Sequence, residues 1–262
     1  MEYNKLILII KRGISLSKYD IYLEKVKELN AKGMINKEIA DELGIDSRRV
    51  GDLLKKLSLT KNESIKEFFP SDIQNEVLVG SIIGDGCIFK CNNSKNYRFV
   101  LAHSLKQEKY FLKKYEIIKD CMKTEPKYCV EYHKKAKKEY SCIKVQSRVN
   151  QYFTKMYQKW YKEGKKIIAD EIFDITPMIL SVKYYDDGNY IRGAGAIAMN
   201  DYTIEDIDKF REAIYCKFNI LTTVQSRKIV YIPKKEFISF KDIVLPFATS
   251  DVLYKLGELL ES

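Results

Sequence analysis

The sequence predicts an α+β protein with two parts: a small all-helical N-terminal domain, and a larger domain built from two similar halves. Three short helical segments occupy residues 20–59. From residue 72 onward, the order helix, two strands, helix, two strands, helix occurs twice, which favours an antiparallel α+β fold over a parallel α/β fold. At 262 residues and 45% apolar composition, the chain is long enough to bury a core.

The N-terminal part shows three amphipathic segments separated by short breaks. Helices are predicted at residues 20–31, 37–43 and 47–57. Asp20 and Ser47 have the side chains expected of N-caps for the first and third helices. Apolar residues at positions 39, 40, 43, 45 and 50 would pack the second and third helices together across a tight turn at Gly44.

Two helices joined by a tight glycine turn are typical of a helix-turn-helix, whose second helix enters the major groove of DNA by its N-terminal residues. Here those residues are Ser47, Arg48 and Arg49. A three-helix bundle that contacts another protein is the alternative, because this fold class does not by itself define a function.

Residues 60–71 lose the helical periodicity and include Pro70, so the domain boundary is placed there. We predict a helix-turn-helix domain at residues 1–60, a linker at 61–71, a first half at 72–165 and a second half at 166–262.

Each half of the larger domain begins with an apolar helix that ends in Asp-Gly, at residues 77–86 and 178–188. We predict that the glycines of these pairs, Gly86 and Gly188, end the helices in the left-handed conformation. Further strands are predicted at residues 97–103, 140–147, 194–199 and 221–232, and further helices at 107–122 and 203–218.

The first apolar helix carries residues with almost no side chain, at Gly80, Ser81 and Gly84, which would let another helix backbone approach closely. If the second apolar helix is its partner, Asp85 and Asp187 lie side by side at the C-terminal ends of the pair. Each Asp-Gly could instead be only a turn, but two copies at equivalent positions favour a paired site.

Two carboxylates at helix C-termini repel each other and face the negative ends of both helix dipoles, so a cation is expected between them. The carboxylates of Asp85 and Asp187, with the carbonyls of Gly84 and Asp186, are hard oxygen ligands that suit Mg²⁺. Mn²⁺ or Ca²⁺ could take its place for binding. Such a site supports phosphodiester hydrolysis, because the metal activates water and stabilises developing charge.

The net charge of +10 is concentrated in one stretch of the chain. Residues 87–166 contain 21 Lys/Arg and 7 Asp/Glu, so the rest of the chain is slightly acidic. A local basic excess among aromatic residues is expected for a polyanion partner, with a solvated lysine-rich surface as the alternative.

Six cysteines follow no disulfide spacing, so we expect reduced thiols in an intracellular, cytoplasmic protein, associated with the nucleoid in a prokaryote or phage, or in an organelle. Cys87, Cys91 and His103 lack a second ligand pair at zinc-finger spacing, so zinc is not expected there. The longest N-terminal apolar run, residues 6–10, is too short to cross a membrane.

Residues 78–86, LVGSIIGDG, and 180–188, LSVKYYDDG, resemble the two motifs of the LAGLIDADG homing endonucleases, in particular the single-chain, two-motif members. Supporting segments at residues 101–107, 160–167, 229–233 and 252–256 extend the resemblance over residues 72–260. The resemblance implies site-specific cleavage of double-stranded DNA, with the catalytic metals bound by Asp85 and Asp187.

The resemblance also implies further site residues. Lys166 and Lys255 match lysines near the active site, where they would orient or deprotonate the attacking water or offset phosphate charge. Two antiparallel sheets would form a saddle over the major groove. The DNA contacts implied on them are Lys90, Asn92, Lys95, Arg98, Lys144, Gln146, Arg148, Arg192, Gln225, Arg227 and Lys228.

Two other functions fit the same fold: a maturase that binds intron RNA, and a DNA-binding regulator that does not cut. The presence of both Asp85 and Asp187 favours cleavage. The helix-turn-helix would add affinity, lengthen the recognised site or repress the protein's own promoter. Because the pseudo-twofold symmetry lies inside one chain, we expect a monomer.

Overall fold

The computed structural model describes residues 18–32, 34–59, 69–90, 94–133 and 137–258. It divides into two compact units, residues 1–66 and 67–262. The division falls inside the predicted linker at residues 61–71, most of which lies outside the described residues. The finer boundaries at residues 60, 72 and 166 stay predictions.

In the described part of the N-terminal unit, three helices surround a small apolar core. They are α1 (Leu23–Ala31), α2 (Asn36–Leu43) and α3 (Ser47–Lys56). The buried residues are Val26, Leu29, Ile39, Ala40, Val50, Leu53 and Leu54. Gly44 ends α2 with a φ of 61°, a conformation that glycine adopts without a steric penalty. The two helices and the glycine turn are therefore present as predicted.

Both predicted N-caps are wrong. The carboxylate of Asp46 caps α3 by accepting a hydrogen bond from the Arg48 backbone nitrogen at 2.7 Å. Asp and Ser have similar N-cap preferences, so the adjacent Asp46 and Ser47 could not be separated from sequence. Asp20 begins a turn of 3-10 helix before α1, and its carboxylate instead accepts a hydrogen bond from Lys56 Nζ at 2.8 Å.

The larger unit contains the order αββαββα twice, which confirms the predicted duplication. The first copy contains α4 (Asp72–Ile83), β1 (Cys87–Lys90), β2 (Tyr97–Ser104), α5 (Glu108–Ile118), β3 (Lys127–His133), β4 (Lys138–Gln146) and α6 (Gln151–Trp160). A small hairpin follows, formed by β5 (Tyr161–Lys162) and β6 (Lys165–Lys166). The second copy contains α7 (Pro177–Asp187), β7 (Gly188–Ile191), β8 (Ala194–Ala198), α8 (Ile204–Phe218), β9 (Thr223–Gln225), β10 (Ile229–Ile232) and α9 (Lys234–Val244).

Each copy forms a four-stranded antiparallel sheet, with strand orders β1-β2-β4-β3 and β7-β8-β10-β9. In the central pairs, Leu101 lies opposite Val145 and Ile197 lies opposite Val230, and all four side chains are buried. One face of each sheet therefore covers the core, and the next residue along each strand points to the other face. Of the strands that the repeated order requires, β1 and β7, with four residues each, and β3, with seven, were not located from the sequence.

The helices α4 and α7 lie against each other within the core. A Cβ atom added to Gly80 would lie 2.6 Å from the Cβ of Val182. One added to Gly84 would lie 2.5 Å from Oδ2 of Asp186. A larger residue at either position would push the helices apart, so the close approach predicted from the small residues is confirmed.

Gly86 and Gly188 do not have the predicted left-handed conformation. Gly188 has a φ of −86° and starts β7 directly. A Cβ on Gly188 would lie 2.3 Å from the Tyr184 carbonyl oxygen, and one on Gly86 would lie 2.6 Å from the Phe99 ring. Lack of space, rather than backbone handedness, requires glycine at both positions.

Candidate active site and nucleic-acid interface

The two motif aspartates lie at the ends of the paired helices and remain partly accessible. Asp85 follows the C-cap Gly84 of α4, and Asp187 is the last residue of α7. Their side chains are 37% and 27% exposed, respectively. These carboxylates can therefore meet a ligand from solvent, whereas their neighbour Asp186 cannot.

Asp186 has a fully buried carboxylate that links the two helix ends. Its Oδ1 accepts hydrogen bonds from Lys114 Nζ at 2.7 Å and from the Tyr110 hydroxyl at 2.8 Å. Its Oδ2 accepts one from the backbone nitrogen of Asp85 at 3.0 Å. A side chain of α7 thereby holds the backbone at the end of α4, in the space left by Gly84.

The electrostatics separate the roles of Asp85 and Asp186. Burial acts to raise the pKa of Asp186, but the adjacent charge of Lys114, with which it forms a buried ion pair, holds it below its ordinary value. Burial and the charges of Asp186 and Asp187 raise the pKa of Asp85 to about 7. An ionised Asp85 is therefore costly in the metal-free protein, and a cation beside it would relieve that cost.

Lys166 and Lys255 contact the two helix ends at equivalent places. Lys166 Nζ donates a hydrogen bond to the Gly84 carbonyl at 2.5 Å. Lys255 Nζ donates to the carbonyls of Tyr185 and Asp186 at 2.7 and 3.1 Å. Each ammonium group offsets the negative end of one helix dipole. Burial lowers the pKa of both lysines.

The structure thus gathers all six residues predicted for catalysis and metal binding: Asp85, Asp187, Gly84, Asp186, Lys166 and Lys255. The carbonyls of Gly84 and Asp186, predicted as metal ligands, face lysine ammonium groups here. A carbonyl oxygen has two lone pairs, so one that accepts a hydrogen bond from lysine can still bind a metal ion with the other. Metal ligation by these two carbonyls stays a prediction.

The surroundings of Asp85 and Asp187 differ. His103, which is buried on β2, places Nδ1 at 3.3 Å from Oδ2 of Asp85 and Nε2 at 3.7 Å from Oδ1 of Asp186. Burial and the charge of Lys114 lower the pKa of His103 to about 3, so the imidazole is neutral. Among the described residues, neither ring nitrogen makes a hydrogen bond with standard geometry.

Asp187 has a cation beside it. The buried Lys183 ammonium lies 2.7 Å from Oδ2 of Asp187 and also donates a hydrogen bond to the Ala198 carbonyl. Neither Lys183 nor His103 was predicted from the sequence as a residue of this site. The i,i+4 spacing of Lys183 and Asp187 on one helix could have indicated that these two side chains pair. His103 alternates with Phe99 and Leu101 along β2, which could have indicated that it faces the core.

The donor set fits a divalent metal ion. Asp85, His103 and Asp186 each offer one ligand atom, and these atoms lie within 4.8 Å of one another. The Asp186 carboxylate is buried and already accepts hydrogen bonds from Lys114 and Tyr110. The partly exposed carboxylates of Asp85 and Asp187 are therefore the accessible ligands, and they suit Mg²⁺ or Mn²⁺.

The face of the first sheet that points away from the core is polar and basic. Arg98, Lys144 and Gln146 lie on it, and Arg98 donates a hydrogen bond to Gln146 Oε1 at 2.8 Å. Lys127, which was not predicted as a DNA contact, lies directly opposite Lys144. This face presents the side chains that a DNA backbone or groove would meet.

The other predicted contacts lie at strand ends and turns. Lys90 ends β1, Lys95 and Arg148 flank β2 and β4, and Gln225 ends β9. Arg192, Arg227 and Lys228 are turn residues with positive φ, and Asn92 lies outside the described residues. In the N-terminal unit, Ser47, Arg48 and Arg49 form the exposed first turn of α3. Their contacts with DNA stay predictions.

Two accessible carboxylates at paired helix ends, in a unit whose first sheet has a polar and basic outer face, define a site suited to bringing a metal ion to a polyanion. A family model described as the LAGLIDADG DNA endonuclease family matches residues 75–240, more than half of the chain. The chain belongs to this family, as its two motifs predicted.

Several relatives share most of the chain at low identity. The chain is 25% identical over 239 residues to a probable intron-encoded endonuclease of Wickerhamomyces canadensis, covering 86% of this chain and 97% of that protein. It is 21% identical over 206 residues to the DNA endonuclease I-ChuI of Chlamydomonas applanata, covering 71% and 94%. It is 22% identical over 194 residues to the cytochrome b mRNA maturase bI2 of Debaryomyces hansenii, covering 71% and 74%.

Among solved structures, the homing endonuclease I-WcaI bound to its DNA recognition sequence matches with a TM-score of 0.66. It is 22% identical, and the match covers 77% of this chain and 96% of that chain. This likeness confirms the duplicated fold. None of the described helices combines the length and the apolar character required to span a membrane.

Asp85→Asn is expected to raise the melting temperature of the metal-free protein, most strongly near pH 8. The folded-state pKa of Asp85, about 7, lies above the ~4 of an unfolded aspartate, so its ionisation destabilises the fold increasingly as the pH rises from about 4 to above 7. Asparagine removes the charge. Thermal unfolding with a chelator should show the variant's advantage shrinking toward pH 5, and an advantage independent of pH would contradict this.

Asp186→Asn is expected to lower the free energy of unfolding by about 3–5 kcal/mol, because Lys114 stays buried without its counter-charge. Adding Lys114→Met should recover most of the loss, since both buried charges are then gone. Urea unfolding measures both effects.

The matched control is Lys119→Met, which breaks the exposed pair of Lys119 and Glu116 and should cost less than about 1 kcal/mol. Equal losses in Asp186→Asn and the control would show that the buried pair does not hold the two helix ends.

Proposed function

We propose that the protein is a site-specific endonuclease that hydrolyses double-stranded DNA with Mg²⁺, and that Mn²⁺ or Ca²⁺ can replace Mg²⁺ for binding. The observation that carries the proposal is the pair of accessible carboxylates, Asp85 and Asp187. They lie at two helix ends, and at each end a lysine ammonium group donates a hydrogen bond to a backbone carbonyl. Membership of the LAGLIDADG DNA endonuclease family supports it. So do the names of its relatives.

In this proposal, Asp85 and Asp187 would hold the metal ions, and the scissile phosphates would lie beside those ions. When bound, the metal supplies an activated water and stabilises charge on the attacking and leaving oxygens. The neutral His103 lies beside the Asp85 carboxylate, with Nδ1 3.3 Å from Oδ2, and Asp186 keeps the backbone of Asp85 in place.

Lys166 and Lys255 would act on the water or the phosphate at their own helix ends. Burial lowers the pKa of each ammonium group, which makes proton transfer to and from the attacking water easier. Each lysine also places positive charge near the phosphate, where negative charge develops.

The substrate is proposed to lie across the outer faces of the two sheets. Arg98, Lys127 and Lys144 on the first sheet would meet phosphates, and Gln146 and Gln225 would meet base edges. A single chain supplies both halves of the site, so the enzyme is proposed to act as a monomer. It would work in the intracellular compartment that holds its target DNA.

Asp85→Asn and Asp187→Asn are each expected to abolish double-strand cleavage while leaving DNA binding intact. Each variant removes a metal-binding charge, so the cleavage rate should fall at least ~10³-fold. The measurement is cleavage of a randomised plasmid library with Mg²⁺, followed by binding to the sequence that wild type cuts.

Asp170→Asn is the matched control, because the Asp170 side chain is 87% exposed at the start of a 3-10 helix, and this variant should cut like wild type. Lys166→Met and Lys255→Met belong in the same assay and should slow cleavage by about 10²-fold or more. If wild type binds one sequence tightly yet never cuts it with Mg²⁺ or Mn²⁺, the endonuclease proposal is wrong.

The N-terminal unit is proposed to add affinity through the first turn of α3. Replacing Arg48 and Arg49 together by alanine should weaken DNA binding by about tenfold and lower the slope of log affinity against log salt by about 2. The cleavage rate of bound DNA should not change. Affinity titrations at several salt concentrations measure both quantities.

The matched control replaces Lys25 and Lys32 by alanine, which removes two positive charges near α1 from side chains that pair with Glu28. Equal loss of affinity in both double variants would mean that general charge, rather than the first turn of α3, supplies the effect.

Intron RNA binding is the second candidate function, because two relatives are named cytochrome b mRNA maturases. Tighter binding to a structured intron RNA than to duplex DNA, unchanged in Asp85→Asn, would support it.

A further inference from the structure

The outer face of the first sheet contains a second cluster of metal-ligand side chains. Cys129 on β3 lies directly opposite Cys142 on β4. Glu131 is two residues farther along β3 and therefore points to the same face. One ligand atom from each of the three residues lies within 4.8 Å of the other two.

This cluster lies on the opposite face of the sheet from the candidate active site. Cys142 pairs with Ser104 on β2, whereas His103, the preceding residue, pairs with Ile143 and points into the core. Because neighbouring residues of a strand point to opposite faces, the thiols and the His103 imidazole are separated by the sheet itself. The two clusters cannot share one ion.

The chemistry of the three donors differs from that of the active site. Two thiolates and one carboxylate suit Zn²⁺, which prefers sulfur, and they suit Mg²⁺ poorly. With Zn–S bonds of about 2.3 Å in a tetrahedral site, the two sulfurs would lie roughly 3.8 Å apart. The ligand atoms of the three residues already lie within 4.8 Å of one another, so small side-chain rotations would bring them to the distances of a tetrahedral zinc site.

The surroundings permit such a site. Cys142 is buried, Cys129 is half-buried, and both are free thiols. Glu131 is exposed, so its carboxylate can turn toward the sulfurs at little cost. Glu131 is paired with Lys144 at 3.3 Å, and because both side chains are exposed this ion pair is inexpensive to break.

We propose that Cys129, Cys142 and Glu131 bind one Zn²⁺ ion, with water as the fourth ligand. Binding releases the two thiol protons to solvent and involves no change of oxidation state. The ion would fasten the edge strand β3 to β4. It would also draw Glu131 away from Lys144 and free that ammonium group for a phosphate, a consequence that rests on the proposed DNA-binding function.

The direct test is titration of the reduced full-length protein with Co²⁺ and then Zn²⁺, without DNA. Co²⁺ bound to thiolates gives an intense charge-transfer absorption in the near ultraviolet, which oxygen and nitrogen ligands do not give. We expect about one equivalent of Co²⁺ to produce this band and Zn²⁺ to abolish it by displacement.

Cys129→Ser and Cys142→Ser are each expected to weaken Co²⁺ binding by more than about 100-fold, and Glu131→Gln by less. Cys216→Ser removes an exposed cysteine on α8 and is the matched control. Circular dichroism checks that every variant is folded. No charge-transfer band, or a band that survives in Cys129→Ser, would overturn the proposal, and so would a Cys216→Ser variant that loses it.

The effect on DNA is measured separately. If Zn²⁺ frees Lys144, wild type should bind DNA more tightly with Zn²⁺ present, while Lys144→Met should show no such gain. Because the Co²⁺ titration contains no DNA, loss of the endonuclease proposal would leave the zinc result unaffected, and failure of the zinc site would leave cleavage unaffected.

Discussion

The close packing of α4 against α7 is the constraint on which the other features of the larger unit depend. Gly80 and Gly84 allow the contact, and the Asp186 carboxylate completes it by accepting a hydrogen bond from the backbone of Asp85. The same contact brings negative charge together at two helix ends. Lys114 neutralises the buried carboxylate of Asp186. The accessible carboxylate of Asp85 is left to be neutralised by a cation from outside the protein.

The two halves of the site are similar in backbone and different in charge. Lys166 and Lys255 donate to equivalent carbonyls, which follows from the duplicated fold. The side chains nearest the aspartates do not repeat: a neutral His103 faces Asp85, whereas a buried Lys183 is paired with Asp187. The half that contains Asp85 therefore has the greater need for a bound metal, because Asp187 already has a partner of opposite charge.

Most of the fold and part of the site could be predicted from sequence. The two apolar helices that end in Asp-Gly predicted that Asp85 and Asp187 belong to one site, because their apolar and small residues indicate that the helices pack against each other. Lys114, Tyr110 and His103 were missed because their relation to the site depends on contacts between distant segments. Left-handed ends at the motif glycines were predicted from a general preference, but crowding by neighbouring atoms determined those positions instead.

If the paired helix ends form a metal site, Mn²⁺ should occupy it in crystals of the protein with the duplex that it selects. Anomalous scattering should then show peaks within about 2.3 Å of carboxylate oxygens of Asp85 and Asp187. Crystals with ordered DNA across the sheets, but with no peak near either carboxylate, would show that the helix ends do not bind the metal.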